Sequence, residues 1–279
     1  METPLFSILI ANYNNGKFFN DCYESIITQT YCKWEVIIVD DASNDDSVDL
    51  IKSIIGNDPR FKIFQNPENK GCGFTKRRCA ELAIGEICAF LDPDDAITEE
   101  ALSVMINEHA RYPDASMIYS KLLWCDEHLN IQYATKSQQI KNGLPDFFDL
   151  DGHLTAFLSY KNDFYRKTLG INNYLLRAID RDLVLKLYET GPAYLVDNAM
   201  YKYRVHKNGI STNQNQEKAY FWFWVVIIDA AKRRKVNIEN LFVEKALQSR
   251  REVALQKEID SYNKSLIFKI LRKIGLFKI

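Results

Sequence analysis

Strand-like and helix-like segments alternate through the first half of the chain, and this alternation limits the fold more than any other feature. Residues 6–11, 34–39, 60–65 and 87–91 read as strands, and residues 17–29, 47–55, 74–83 and 98–111 carry helical periodicity. In the first helix Phe18, Phe19, Cys22, Ile26 and Ile27 share a face; in the last, Leu102, Met105, Ile106 and His109 do so. Such alternation predicts a mainly parallel sheet with right-handed crossovers and helices on its faces. After Ala115 the rhythm weakens. Residues 116–124 read as a strand, 126–151 as a long connection, 180–188 as a helix, and 193–196 and 200–205 as strands, with helical sequence from about 216 onward. No internal repeat or low-complexity linker interrupts the chain. The expected organisation is one α/β domain over 1–215 and a helical C-terminal extension over 216–279.

The fourth strand ends abruptly in acids: Glu86-Ile-Cys-Ala-Phe-Leu-Asp-Pro-Asp-Asp95. Unpaired carboxylates cannot continue into a core, so Asp92, Asp94 and Asp95 must meet solvent, a cation or a ligand. In open α/β sheets, ligands bind at this carboxyl end of the strands. Clustered hard oxygens there suit Mg²⁺ or Mn²⁺, which in turn suits a phosphate-bearing substrate. A plainer reading is an acidic turn capping the next helix, with Thr98 as N-cap and Glu99 and Glu100 in its first turn. That reading accounts for 98–100 but not for Asp92 and Asp94.

The second strand also stops at acids, in Val39-Asp40-Asp41-Ala42-Ser43-Asn44-Asp45. Two adjacent strands are therefore expected to present carboxylates at one sheet edge, and an acid in this position often grips a nucleoside. Asp45 is read as a cap for the helix starting at Ser47. A dinucleotide-binding dehydrogenase would need a glycine fingerprint after the first strand, and the turn there is Asn12-Tyr13-Asn14-Asn15-Gly16. Gly71-Cys72-Gly73 is followed by Lys76 and fails the same test. With no backbone cradle for a pyrophosphate, a metal would have to hold one.

Bulk properties exclude several classes. An apolar content of 47% supports a substantial core, and a net charge of −1 gives no general attraction to nucleic acid. Cys22, Cys32, Cys72, Cys79, Cys88 and Cys125 are scattered without a C-x-x-C pair, which fits reduced thiols in a cytoplasmic setting and argues against zinc. Residues 1–4 do not read as a secretory signal, and no run has the length of a membrane span. The tail stands apart. Residues 264–279 hold Lys264, Lys269, Arg272, Lys273 and Lys278 with no acid, and Leu266, Ile267, Ile270, Leu271, Ile274 and Phe277 at helical spacing. A basic amphipathic helix of this kind can lie in a bilayer interface; packing on the domain or self-association are the competing readings.

Taken together, Ser7-Ile-Leu-Ile-Ala-Asn-Tyr-Asn14, Gln29-Thr-Tyr31, the 39–45 segment, Gly85-Glu86 and Leu91-Asp-Pro-Asp-Asp95 resemble family 2 glycosyltransferases of the GT-A fold. The resemblance runs in order from about Leu5 to Ser211. It implies that Asp40 or Asp41 contacts the nucleobase, usually uracil, with Ala11 and Tyr13 packing against it. It implies a short Asp-x-Asp motif in which Asp92 lies near the ribose and Asp94 ligates Mn²⁺ or Mg²⁺. His206, in Tyr203-Arg-Val-His-Lys-Asn-Gly-Ile-Ser211, resembles a motif whose His completes the metal shell. Asp180 falls at the position of the catalytic base, with Asp182 the nearest alternative and an acidic helix cap the plainer reading. Two departures stand out. Lys76-Arg77 replaces the usual Arg-Asn, which puts a base contact from Lys76 in doubt, and Ile179 replaces a Glu.

The implied activity is inverting transfer of a sugar from a nucleotide-diphosphate sugar, a UDP-sugar first, to a saccharide or lipid-linked glycan in surface polysaccharide synthesis. A sugar-phosphate nucleotidyltransferase is the rival enzyme, but it would ordinarily carry a Gly-rich basic loop where residues 12–16 stand. A non-catalytic nucleotide- or glycan-binding module of the same fold is the third reading, left open by Lys76 and Ile179.

Overall fold

The first strand, β1 (Phe6–Asn12), and the next, β2 (Trp34–Asp40), are buried at almost every residue. Continuous apolar runs of this kind belong at the centre of a sheet covered on both faces. Between them lies α1 (Phe19–Ile27), which buries Phe19, Cys22 and Ile26. Helix α2 (Ser47–Ile55), β3 (Phe61–Gln65), α3 (Cys72–Leu82) and β4 (Ile87–Phe90) complete the regular half. A computed structural model describes residues 3–206 and 215–265 of the chain.

The second half is less regular. A two-residue strand β5 (Ala96–Ile97) precedes α4 (Ala101–Arg111), followed by β6 (Met117–Cys125), β7 (Ile131–Ala134) and β8 (Leu158–Lys161). Then come α5 (Asn162–Tyr165), α6 (Ile179–Tyr188), β9 (Ala193–Arg204) and α7 (Gln216–Arg234). The chain divides into the units Met1–Ala230 and Ala231–Ile279. The second consists of the end of α7, then α8 (Glu239–Phe242), a π-helical segment (Val243–Gln248) and α9 (Ser249–Lys264). Among the described residues no helix is long and apolar enough to cross a membrane. The basic amphipathic segment falls almost wholly on 266–279, outside the described residues.

Among the described residues, nine strands join one sheet in the order β3-β2-β1-β4-β8-β6-β9-β5, with β7 added against β6. The β3-β2-β1-β4 block is parallel, as the alternation predicts. Beyond it the sheet is mixed rather than mainly parallel, because β8 runs antiparallel to β4 and β6, and β5 antiparallel to β9. Two other expectations need correction. The strands ending in acids are not neighbours, since β1 lies between β2 and β4. Thr98 does not cap α4: the helix starts at Ala101, and the buried Thr98 hydroxyl has no hydrogen-bond partner. Asp45 stands one residue before the N-cap of α2, which is Asp46, and accepts from the Ser47 amide at 3.0 Å.

Register fixes what this sheet edge presents. Asn12 pairs with Asp40 across β1 and β2, and Leu9 with Phe90 across β1 and β4. Residue 13, residue 41 and the 91–95 acids therefore emerge at the same edge. A buried polar cluster ties the opposite end. The Ser7 hydroxyl donates to Glu35 at 2.7 Å, Lys62 pairs with Glu35 at 2.8 Å, and the Ile84 amide donates to it at 3.0 Å. Gly85 is required there, since a Cβ would stand 2.5 Å from Ser7 Oγ and 2.7 Å from the Leu5 carbonyl.

Candidate active site

A cleft of ≈ 730 Å³ opens at the carboxyl ends of β1, β2 and β4. Ala11, Tyr13, Asp41, Lys76, Asp92, Asp94, Asp180 and His206 all line it. Asp40 does not. Its carboxylate is buried and accepts from Asn12 Nδ2 at 2.8 Å and from the Ser43 amide at 2.9 Å, so it holds the first two strand-end loops together. Asp41 organises the next loop, accepting from Asn66 Nδ2 at 2.6 Å and from the Lys70 and Gly71 amides at 2.9 and 2.8 Å. Of the two acids, only Asp41 faces the cleft.

Lys76, on α3, is buried at the base of the cleft, with Nζ 2.9 Å from Asp180 Oδ1 and 3.1 Å from Asp92 Oδ1. Burial disfavours its charge, but Asp180 and Asp92 outweigh that and hold the amine well above its usual value. Its cation is thus engaged by two carboxylates rather than left for a base. Asp92 is pushed up by loss of hydration and by the nearby Asp180 and Asp94, with Lys76 opposing.

The third acid, Asp95, is an anchor. It is buried, accepting from the Tyr201 hydroxyl at 2.7 Å and the Arg204 amide at 2.8 Å. Arg204 also donates through Nε to the Asp94 carbonyl at 2.6 Å and through Nη2 to Asp21 at 2.6 Å. Its guanidinium lies 4.7 Å from the centre of the Phe18 ring, and that ring packs 4.8 Å from His206. This packing brings His206 Nε2 to 2.8 Å from Asp94 Oδ2. A carboxylate and an imidazole side by side have the donor chemistry of a Mn²⁺ or Mg²⁺ site. Among the described residues no group of three or more His, Cys, Asp or Glu side chains converges, so a cation here would draw its other ligands from a bound substrate.

Asp180 stands in the first turn of α6 with its side chain 73% exposed, after Ala178 at φ 58°. Asp182, two residues on, is wholly buried. It accepts from the Asn172 amide at 2.8 Å and pairs with Lys186 at 2.8 Å, which makes it part of the core. Ile179 lines the cleft as an apolar wall. The remaining histidines lie elsewhere; burial pushes His109 down to about 3, with its Nε2 3.0 Å from Ser159 Oγ. Phe18, Tyr201 and Arg204 were not singled out as site residues from sequence. Arg204 alone carried a signal, as the residue between Tyr203 and Val205 in the motif leading to His206.

The model of the family described as "Glycosyl transferase family 2" matches residues 7–210, which span every one of these positions. The chain belongs to glycosyltransferase family 2. This family 2 member is 27% identical over 266 residues to a chondroitin synthase of Pasteurella multocida, covering 92% of this chain and 26% of that one. It spans 24% to 30% of the length of the chondroitin and hyaluronan synthases it matches. Two solved structures share its fold. The S. aureus TarS 1–349 complex with UDP-GlcNAc has a TM-score of 0.65 at 21% identity, over 80% of this chain and 65% of that one. The mannosyltransferase PcManGT from Pyrobaculum calidifontis, in complex with GDP-Man and Mn²⁺, has a TM-score of 0.67 at 15% identity, over 99% and 82%. The fold of this glycosyltransferase is accordingly GT-A.

Proposed function

We propose that the chain transfers a glycosyl group from a nucleotide-diphosphate sugar, a UDP-sugar first, to a hydroxyl of a saccharide or lipid-linked glycan. The transfer inverts the anomeric carbon and serves the building of a surface polysaccharide. One observation carries this reading: Asp41, Lys76, Asp92, Asp94, Asp180 and His206, drawn from five segments of sequence, share a single cleft. The UDP-GlcNAc bound to TarS supports the donor class, and the synthase relatives support a saccharide acceptor.

Asp41, with Ala11 and Tyr13, forms the nucleoside end, and Asp92 approaches the ribose. Asp94 and His206 would hold Mn²⁺ or Mg²⁺, which when bound supplies positive charge against the leaving diphosphate. Asp180 accepts the proton of the acceptor hydroxyl as that oxygen bonds to the anomeric carbon. The bond from that carbon to the diphosphate oxygen breaks, and its electron pair leaves with the nucleotide. A single displacement of this kind inverts the configuration. A covalent sugar–enzyme step is not needed, and the Cys72 thiol in the cleft is pushed up to about 11 by burial, which keeps it protonated and unreactive.

In the same reading the enzyme works on the cytoplasmic face of a membrane, held there by residues 264–279. A panel of UDP-sugars with GDP-mannose for comparison, assayed with Mn²⁺, tests the function. Release of nucleoside diphosphate with sugar transfer supports it. Pyrophosphate exchange would indicate nucleotidyl transfer, and binding without turnover a non-catalytic module.

A further inference from the structure

Asp180 borders a second pocket. A cavity of ≈ 410 Å³ is lined by Leu154, Asp180, Arg181, Val184, Tyr220 and Phe223, and shares Ala178 with the larger cleft. Its volume suits a small ligand, since such sites run from roughly 300 to 1,000 Å³. Its walls have two kinds of surface. Tyr220 and Phe223, one turn apart on α7, are nearly parallel, with ring centres 6.3 Å apart and planes 9° apart. The Arg181 guanidinium lies 5.4 Å from the Phe223 ring centre and donates to the Asp149 carbonyl at 2.7 Å, which fixes it at the wall. Leu154 and Val184 are buried beneath.

We propose that this pocket seats the terminal sugar of the acceptor, with its C–H face on Tyr220 and Phe223 and the reacting hydroxyl toward Asp180. The inference rests on the transfer reading above and adds to it the acceptor's place and chemistry. A pyranose has an apolar C–H face and a polar edge of hydroxyls, which matches aromatic faces flanked by a carboxylate and a guanidinium. An alkyl chain matches only the first, because it offers no hydrogen-bonding group to Asp180 or Arg181, which are already ion-paired with Lys76 and Asp149. The shared lining of the two cavities supplies the remaining argument. Asp180 is the side chain common to both, so a group in the smaller pocket meets the donor across the residue that takes its proton.

The test uses the full chain, saturated with UDP and Mn²⁺, and methyl glycosides of hexoses, N-acetylhexosamines and hexuronic acids as probes. Saturation-transfer spectra of the unmodified protein are expected to show enhancement of ring C–H signals for at least one probe. Phe223→Ala and Tyr220→Ala should each weaken that probe roughly tenfold, the scale of losing an aromatic face. Phe223→Tyr should retain binding, and Ala219→Phe, which fills the cavity without deleting a wall, should abolish it. The Kd for UDP, measured on the same samples, should stay within twofold and certifies that each variant is folded. Probe binding unchanged in Phe223→Ala and Ala219→Phe, or no enhancement of any probe with UDP bound, overturns the acceptor pocket. Failure of the unmodified protein to bind UDP overturns the transfer reading instead.

Discussion

The amine of Lys76 lies 2.9 Å from Oδ1 of Asp180, joining residues 104 positions apart in sequence. The lysine is buried and the carboxylate mostly exposed, so a fixed cation holds a solvent-facing anion in place. Because the same amine reaches Asp92, the two carboxylates share one counter-charge. The carboxylates keep Lys76 protonated despite its burial. This shared charge accounts for a Lys at a position where a planar guanidinium would be suited to a base: a compact ammonium fits between two carboxylates in a tight space.

Lys76→Met should therefore act on catalysis more than on donor affinity. With the tether removed, Asp180 is free to swing, and misplacement of a catalytic group by an ångström costs on the order of 10²-fold. Steady-state kinetics with calorimetry checks this: kcat falls by that order while the Kd for UDP changes far less. Equal loss in both would mean that Lys76 binds the nucleotide directly.

Asp94→Ala should abolish the metal dependence of UDP binding, because His206 alone cannot hold a hard cation. His206→Ala should weaken it without removing it. Titrations of UDP with and without Mn²⁺ distinguish the variants, and an unchanged Mn²⁺ effect in Asp94→Ala would place the metal elsewhere.

Much of this site was legible in sequence because its residues follow strands that announce themselves. The apolar runs at 6–11, 34–39 and 87–91 end at polar turns, and parallel register then carries all three turns to one edge. What sequence could not separate was Asp40 from Asp41. Both are acids at a strand end, and only their partners, Asn12 and Ser43 for one and Asn66 and Gly71 for the other, decide which faces the cleft. Asp180 and Asp182 differ in the same way, two residues apart on one helix with one exposed and one locked to Lys186. Strand β7 escaped notice because it is exposed throughout, and β8 because its four residues follow a long irregular connection. Strand β9 was read as two because Asp197 and Asn198 resemble a turn, where in fact β9 runs through them past an irregularity in its pairing with β6.

The buried end of the sheet should impose a pH dependence on stability. Burial works against the charge on Glu35, but hydrogen bonds from Lys62, Ser7 and the Ile84 amide outweigh it and hold the carboxyl below its usual value. A carboxyl lowered on folding adds stability that is complete above its unfolded pKa, about 4.3, and is lost as pH falls through the lower folded value. Urea midpoints should therefore fall on acidification below that point, and Glu35→Gln should flatten this part of the curve. A variant with an unaltered acid limb would show that other groups govern it.

The tail prediction joins apolar residues at helical spacing with five basic ones between 264 and 279. The protein should co-sediment with anionic vesicles, less so as salt rises, since charge attraction is screened within about 10 Å at 0.1 M. Removing 264–279 should end the association. If truncation instead lowers the melting temperature or the oligomer mass and leaves vesicle binding intact, the segment packs on protein.

The most direct measurement is sugar transfer by the Asp180→Asn variant set beside Asp182→Asn, with a UDP-sugar the unmodified enzyme accepts. Asp180→Asn should bind UDP nearly as well as the unmodified chain and transfer roughly 10²–10⁴-fold more slowly, the usual loss for a missing general base. Asp182→Asn should keep its rate per folded molecule and lose thermal stability, because it breaks a buried ion pair. Normal turnover by Asp180→Asn together with a catalytic defect in stably folded Asp182→Asn would contradict the account.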